Sequence, residues 1–581
     1  MNRGPRARAA GVALLSAFVL LLVTRQLGCH GASAGHGIYR AQVEAFLDGR
    51  LALTTLPEGL AHDLAWTESG VQQVWGLGVP MWQAPVAVAA KAVGVTPPDR
   101  VAMGLWLALT AFVLLRAFGR RDDAPWWLGA GAIVVTALLP AFVTLVRGRL
   151  GVYEEAAIYA YGAAMILLGG LVILARAPTT TRYVLLVAAA GLAPMIRPTL
   201  ATYGLATALL ATAVLWRAHG RGAVRAIALG AALFVTGAGA LYATNVARFG
   251  SGTEFGHRLN LQGLSGNIRA TRFDYPFQQA GLGEAAVELV GAMFGRPEQA
   301  RERGFYGTAL HVGQSERVRW REYYFTTYSW PYVLGILAGL LVGARAWRRR
   351  DDPDRWLLAW AVIGGLPIAL YYMRAPFLSS RYLLDLAPAI AALLVLAWRG
   401  VATWAAPRRR GVVAFGVLVA LWATAVLTSR VRKRIDVDPT DAAAAAEATL
   451  ARVAPVPVPR TMPPSYTAGD ASWIAATGNE RPHGLYLNGV GWELATGRVP
   501  SAMYVFVEDP AFVEVEVVGT PDVRARIGLD ELAIVSRTPT TIRFAVPRPL
   551  RGIRVVFLAF GPASEIGRDR TDVVLRAIRW R

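Results

Sequence analysis

Apolar residues in this chain fall into long unbroken runs rather than into a narrow repeating stripe. The runs cover residues 11–28, 101–118, 126–146, 156–175, 183–196, 199–216, 223–246, 330–346, 356–372, 382–398 and 412–428. A helix crosses bilayer hydrocarbon with about 20 apolar residues, so the pattern predicts a mainly α-helical polytopic membrane protein with about 11 transmembrane helices. The run at 183–196 is short, and MIRPTL places Arg197-Pro198 just after it. Proline disfavours helix at the residue before it, which predicts a tight turn there. The alternative is one long kinked helix, which would invert the topology of everything downstream. VAVAAKAVGV (86–95) is apolar but broken by Lys91 and too short to span, so it predicts an interfacial helix.

Past residue 430 the pattern changes. An Ala/Pro-rich linker at 431–465 contains DAAAAAEATLARVAPVPVPR. Beyond it MYVFV, FVEVEVV, VRARIG, TIRFAV, IRVVFLAF and VVLRAIRW alternate between turns rich in Gly, Pro and Asp. That is strand periodicity, and it predicts a small all-β sandwich over 466–581. The expected organisation is a membrane domain at 1–430, with outer loops at 29–100 and 247–329, then the linker, then the β-domain.

Composition agrees with the membrane reading. Of 581 residues, 54% are hydrophobic and 17% charged, and the mean hydropathy is +0.38. The net charge of +21 raises nucleic acid as a partner. The distribution excludes it: only Lys91 and Lys433 are lysine, and the arginines gather in short loops between apolar runs. Those arginine-rich loops lie on alternate sides of successive runs, a side expected to be cytoplasmic. With an odd number of spans, the N-terminus is expected in the cytoplasm and the β-domain outside an inner membrane. Cys29 is the sole cysteine, so no intrachain disulfide forms. The basic, then apolar, N-terminus is read as a retained first transmembrane helix.

Candidate chemistry concentrates in the predicted outer segments. HGIYRAQVEAFLDGRLAL places Tyr39, Gln42, Glu44 and Asp48 near helical spacing. AHDLAWTESGVQQVWGLGVPMW (61–82) sets Asp63 and Glu68 among Trp66, Trp75 and Trp82, with Gln72, Gln73 and glycines at 70, 76 and 78. Tryptophans at this depth anchor to headgroups or stack on sugar rings. Glu154 and Glu155 open an apolar run, where acids are costly unless they face water, a cation or a ligand. Arg381 and Asp385 are four apart and share a helix face, which suits either a helix-end ion pair or, with Arg374, a cradle for lipid phosphate. Arg197, Arg248, Arg258 and Arg269 also fall on the outer side, against the positive-inside trend. Segment 247–329 is expected to fold over the site as a lid.

GIYRAQVEAFLDGRLAL (37–53), VWGLGVPMWQAPVA (74–87), Glu154-Glu155, GLAPMIRPTL (191–200), NVARFGSGTEFGHRLNL (245–261) and SSRYLLDLAP (379–388) together resemble the GT-C-type membrane glycosyltransferases. The general plan is that of protein O-mannosyltransferases and lipid A aminoarabinose transferases, over residues 10–430. The resemblance implies transfer of a sugar from a polyprenyl-phosphate donor to a glycan, lipid or protein acceptor, with membrane lipids as surroundings. It implies an acid in the first outer loop as general base, a second-loop acid (Glu154 or Glu155) assisting, and in some members a divalent metal ion. Arginines such as Arg374, Arg381, Arg258 and Arg197 would hold the lipid phosphate. Tyr39, Trp66, Gln72, Gln73, Trp75 and Tyr382 would contact sugar or acceptor. Where relatives carry the first-loop Asp, this chain has His36. The base is then His36 itself, or Asp63, Glu44, Asp48 or Glu68, or the chain no longer catalyses. The alternative function is a non-catalytic scaffold or sensor with a glycan-binding β-domain. A transporter is disfavoured, since no repeat and no pair of charged mid-membrane helices is present.

Overall fold

The structure is a computed structural model that describes residues 38–53, 64–94, 99–119, 125–147, 152–259, 281–294, 320–322, 330–349, 354–375, 377–404, 408–428, 465–467, 485–486, 502–519, 521–561 and 573–581. The first apolar run, His36, Asp63, Arg269 and most of the expected lid and linker lie outside the described residues.

The described residues open with α1 (Ile38–Leu47) and a hairpin of β1 (Leu64–Thr67) and β2 (Gly70–Gln73). Then follow α2 (Gly78–Ala92), α3 (Asp99–Phe118), α4 (Trp126–Ala137), α5 (Pro140–Arg147), α6 (Val152–Arg176) and α7 (Thr180–Leu192). Next come α8 (Leu200–His219), α9 (Val224–Phe249), α10 (Leu282–Phe294), β3 (Trp320–Glu322), α11 (Trp330–Arg348) and α12 (Asp354–Arg374). β4 (Phe377–Ser379), α13 (Ser380–Leu383), α14 (Ala387–Trp404) and α15 (Arg408–Thr428) follow as the last described elements of the helical part.

Among the described residues, five stretches are long and apolar enough to cross a membrane: Val101–Phe118, Val152–Arg176, Leu200–Phe249, Asp354–Arg374 and Arg381–Val401. Trp126–Ala137 and Thr180–Met195 are shorter apolar helices. The expected span at 126–146 divides into α4 and α5 because Pro140 has no N–H to continue the ladder and restricts Leu139. At Arg197-Pro198 the chain turns back as expected. The Leu200 N–H donates to the Arg197 carbonyl at 2.9 Å, and Tyr183 of α7 meets Thr212 of α8 at 2.9 Å. Gly204 of α8 also lies against Ala190 of α7, so the two helices run antiparallel and the single kinked helix does not occur.

Small residues bring the helices into contact, as they must where lipid removes the hydrophobic drive for association. A Cβ on Gly237 of α9 would stand 2.6 Å from the Gly191 backbone of α7. Trp127, Tyr159, Trp360 and Tyr203 fill the body of the bundle.

The carboxyl-terminal part is β-rich. Its strands are β5 (Ser465–Thr467), β6 (Leu485–Tyr486), β7 (Ala502–Glu508), β8 (Phe512–Val518), β9 (Val523–Ile527), β10 (Asp530–Glu531), β11 (Ile534–Arg537), β12 (Thr541–Ala545), β13 (Ile553–Phe560) and β14 (Val574–Trp580). Among the described residues they form two five-stranded antiparallel sheets, ordered β10-β9-β13-β7-β6 and β11-β12-β8-β14-β5. In β8, Val513, Val515 and Val517 face the shared core while Glu514 and Glu516 face out, the period of two that the sequence shows.

This unit rests on the first loop and on the segment after α9. Leu529, in the turn from β9 to β10, packs on Ala65, Phe249 and Leu259. Arg548 pairs with Glu68 at 2.9 Å. Arg526 is buried beside Arg258; burial and then that neighbour lower its pKa to about 10.

Candidate functional site

Residues 64–82 fold as a hairpin followed by the start of a helix, not as an irregular loop. Gly70 takes φ +114°, a backbone state that non-glycine residues rarely adopt, and closes the turn between β1 and β2. Gly76 and Gly78 then lie on the turn that follows α7. A Cβ on Gly76 would approach the Ile196 carbonyl to 2.5 Å, and one on Gly78 would reach the Ile196 nitrogen at 2.8 Å. The glycines therefore allow this loop to run backbone against backbone beside Arg197.

Around that contact the chain gathers acids and guanidinium groups from distant segments. Glu155, in the first turn of α6, is buried and accepts from Gln83 Nε2 at 2.8 Å. Glu154 stands 3.5 Å from Arg381, whose guanidinium lies 4.1 Å from the centre of the Tyr153 ring. Trp75 meets the same Tyr153 ring edge-on at 5.3 Å. The acids sit where a helix N-terminus favours negative charge.

Arg197 Nε lies 2.9 Å from Asp385 Oδ1. Tyr372 donates its hydroxyl to the same carboxylate, and the Tyr203 hydroxyl donates to the Asp385 carbonyl at 2.9 Å. Burial works against the charge of Arg197, but Asp385, Tyr372 and Tyr382 outweigh it and raise its pKa. The expected helix-face pair of Arg381 with Asp385 is replaced: Asp385 holds Arg197, and Arg381 reaches Glu154.

Arg248, 3% exposed, donates to the backbone carbonyls of Gln73 and Trp75 and so ties α9 to the end of the hairpin. Tyr39 of α1 is 1% exposed, and its hydroxyl has no hydrogen-bond partner among the described residues. Burial and then the charge of Glu155 raise its pKa, against the pull of Arg197 and Arg248, so the hydroxyl keeps its proton and remains a donor.

The other sequence candidates are distributed as follows. Tyr382 stacks on Tyr372 with centroids 6.1 Å apart and lies 5.6 Å from the Arg197 guanidinium. Arg374 ends α12 at the same turn, half-buried. Gln72 and Gln73 are fully buried, Gln72 donating to Ser69 Oγ and Gln73 accepting from the Trp75 N–H at 2.6 Å. Trp66 is half-buried on β1.

The structure does not bring Glu44, Asp48 and Glu68 to the buried acids. Glu44 pairs with Lys91, Asp48 with Arg50, and Glu68 with Arg548, all at solvent-accessible positions. Arg258 sits by the β-domain, its backbone N–H bonded to Glu254 at 3.0 Å. Gln83, Tyr153 and Tyr372 enter the cluster without having been singled out. Gln83 had a signal, as the one strongly polar residue in VPMWQAPVAV.

The described part of the cluster does not gather ligands for a divalent metal. Among the described residues no three His, Cys, Asp or Glu side chains converge. Glu154 faces a guanidinium, Glu155 an amide, and Asp385 is committed to Arg197.

Fold and site together define an integral membrane protein with a helical body, a C-terminal β-sheet region, and a buried charged cluster at one end of the bundle. Scanned against known protein families, the chain matches none. No curated protein matches it. Among solved structures it is similar to the arabinosyltransferase EmbB from Mycobacterium smegmatis, with 12% identity and a TM-score of 0.34. That match covers 98% of this chain, which spans 64% of the EmbB chain. A similarity of that degree does not define the activity.

Proposed function

We propose that this protein is a membrane glycosyltransferase that moves a sugar from a polyprenyl-phosphate donor to an acceptor at the cluster end of the bundle. The observation that carries the reading is the meeting of Glu154, Glu155, Arg381, Arg197 and Arg248 with the first loop at a single site. Such a transfer needs a carboxylate to take the acceptor proton and positive charge to stabilise the departing phosphate. It also needs both at the bilayer surface, where the lipid carrier leaves the donor phosphate. The sequence resemblance to GT-C enzymes supports the same roles.

In this reading the acceptor oxygen attacks the anomeric carbon from the face opposite the phosphate. The bond from that carbon to the phosphate oxygen breaks, and polyprenyl phosphate leaves against Arg381. The acceptor proton passes to Glu155 or to a first-loop base, His36 or Asp63, and from there to water. Arg197, locked by Asp385, contributes fixed positive charge, and Arg248 holds the loop. Donor sugar and acceptor belong to Tyr39, Trp75 and the loop around them.

Transfer from labelled polyprenyl-phosphate sugars tests the assignment. Glu155→Gln should lower turnover by about 10²-fold or more, the usual loss of a positioned acid or base. Arg381→Ala should raise the donor KM. Asp63→Asn and His36→Ala tell which first-loop group serves.

One observation favours the scaffold reading: each described acid of the cluster already has a hydrogen-bond partner. Transfer undetectable in the wild-type protein with every donor tried, or unchanged in all four variants, would decide for it.

A further inference from the structure

The opposite end of the bundle carries a different feature. Between α8 and α9 lies an open groove of about 510 Å³, walled by Leu209, Ala213 and Trp216 on α8 and by Ile227, Ala228 and Ala231 on α9. It exists because α7 lies behind both helices and holds them apart. Gly191 takes the backbone of α9 at Gly237, and the Tyr183 ring packs on Gly230, where a Cβ would come within 2.6 Å. Tyr183 also bonds the Thr212 hydroxyl at 2.9 Å, so the floor presents little free polarity. Alanines on both walls give the groove its depth.

The rim is cationic. The turn Gly220–Ala223 joins the two helices, and Arg217, Arg221 and Arg225 are all exposed around it. No aspartate or glutamate occurs anywhere from residue 156 to 253. An apolar helix from another subunit would fill the groove but would make no use of the exposed Arg221 and Arg225 at its rim. A neutral lipid would do the same. An anionic lipid meets both demands, with hydrocarbon in the groove and phosphate against the guanidinium groups.

We propose that the α8–α9 groove is a binding site for an anionic glycerophospholipid of the leaflet at the arginine-rich end. An acyl chain lies along Ala213, Ala228 and Ala231, and the headgroup meets Arg221 and Arg225. The site is separate from the charged cluster and does not depend on the transferase reading.

Native mass spectrometry of the full-length protein, released from nanodiscs holding equal amounts of palmitoyl-oleoyl phosphatidylglycerol and phosphatidylcholine, tests it. The wild-type protein should retain phosphatidylglycerol preferentially. Arg221→Gln and Arg225→Gln should each reduce that retention by about fivefold. Ala228→Trp, which fills the groove from an exposed position, should remove the same bound lipid while the thermal transition stays in place. Equal retention of both lipids overturns the proposal. So does phosphatidylglycerol binding that survives both the charge and the groove variants. A shift from oligomer to monomer in Ala228→Trp with an unchanged lipid count would give the groove to a partner helix instead.

Discussion

Where α6 and α8 begin, arginine is buried and matched: Arg197 stands 2.9 Å from Asp385, and Arg381 stands 3.5 Å from Glu154. Where α8 ends and α9 begins, Arg217, Arg221 and Arg225 are exposed, in a stretch without acids. The same residue type answers two different demands. At the arginine-rich end a long side chain reaches headgroups and water, so charge costs little and sets topology. At the cluster end charge is desolvated and persists only through specific partners. Arginine counts alone cannot separate these cases, but the position of the acids can.

The largest effect expected from breaking this contrast is at Asp385. Asp385→Ala leaves Arg197 buried without its counter-charge and should destabilise the protein by about 3–5 kcal/mol. Thermal unfolding in detergent measures this, and Arg221→Ala at the other end should change stability by less than about 0.5 kcal/mol in the same assay. Next is Gly76→Ala. The added carbon meets the backbone of Met195 and Ile196, and overpacking of this kind costs about 1–3 kcal/mol. Any transfer activity should fall with it, since the loop would move off the Arg197 turn.

Smaller effects are expected where the β-domain meets the first loop. The Arg548–Glu68 pair leaves 69% and 58% of the two side chains exposed. Arg548→Ala should therefore cost at most about 1 kcal/mol and less at high salt. The smallest effect is a pH dependence. The hydrogen bond from Arg524 holds the Glu531 carboxyl below its usual range, against the opposing effect of burial. A carboxyl lowered in the folded state adds stability above its unfolded pKa and loses it as pH falls through the lowered value. Acid titration of the β-domain transition should show that loss, and Arg524→Gln should flatten it.

The helical body was legible because long apolar runs have one low-energy answer in lipid. Strands β7, β8, β9, β12, β13 and β14 were legible from their period of two. The hairpin at 64–73 was not. Its strands have four residues each, too short for alternation to stand out, and their burial depends on Phe249 and Leu259, far along the chain.

For the cluster, sequence marked Glu154, Glu155, Arg197 and Arg381 as out of place at an apolar boundary. It did not give the partners. Local spacing suggested Arg381 with Asp385, but Asp385 is bound by Arg197, 188 residues away. Such pairing is decided by which helices become neighbours, and no local pattern encodes that. Gln83 was missed for the same reason: only the packed position of α6 turns an amide in an apolar run into a partner for Glu155.

The seating of Gly76 on the backbone of Met195 and Ile196 fixes one wall of the cluster through main chain. Nothing in that seam depends on which side chains the neighbouring hairpin carries. If the proposed transfer takes place there, exchange of Trp66, Gln72 or Trp75 would retune what the site admits while the guanidinium of Arg197 keeps its place.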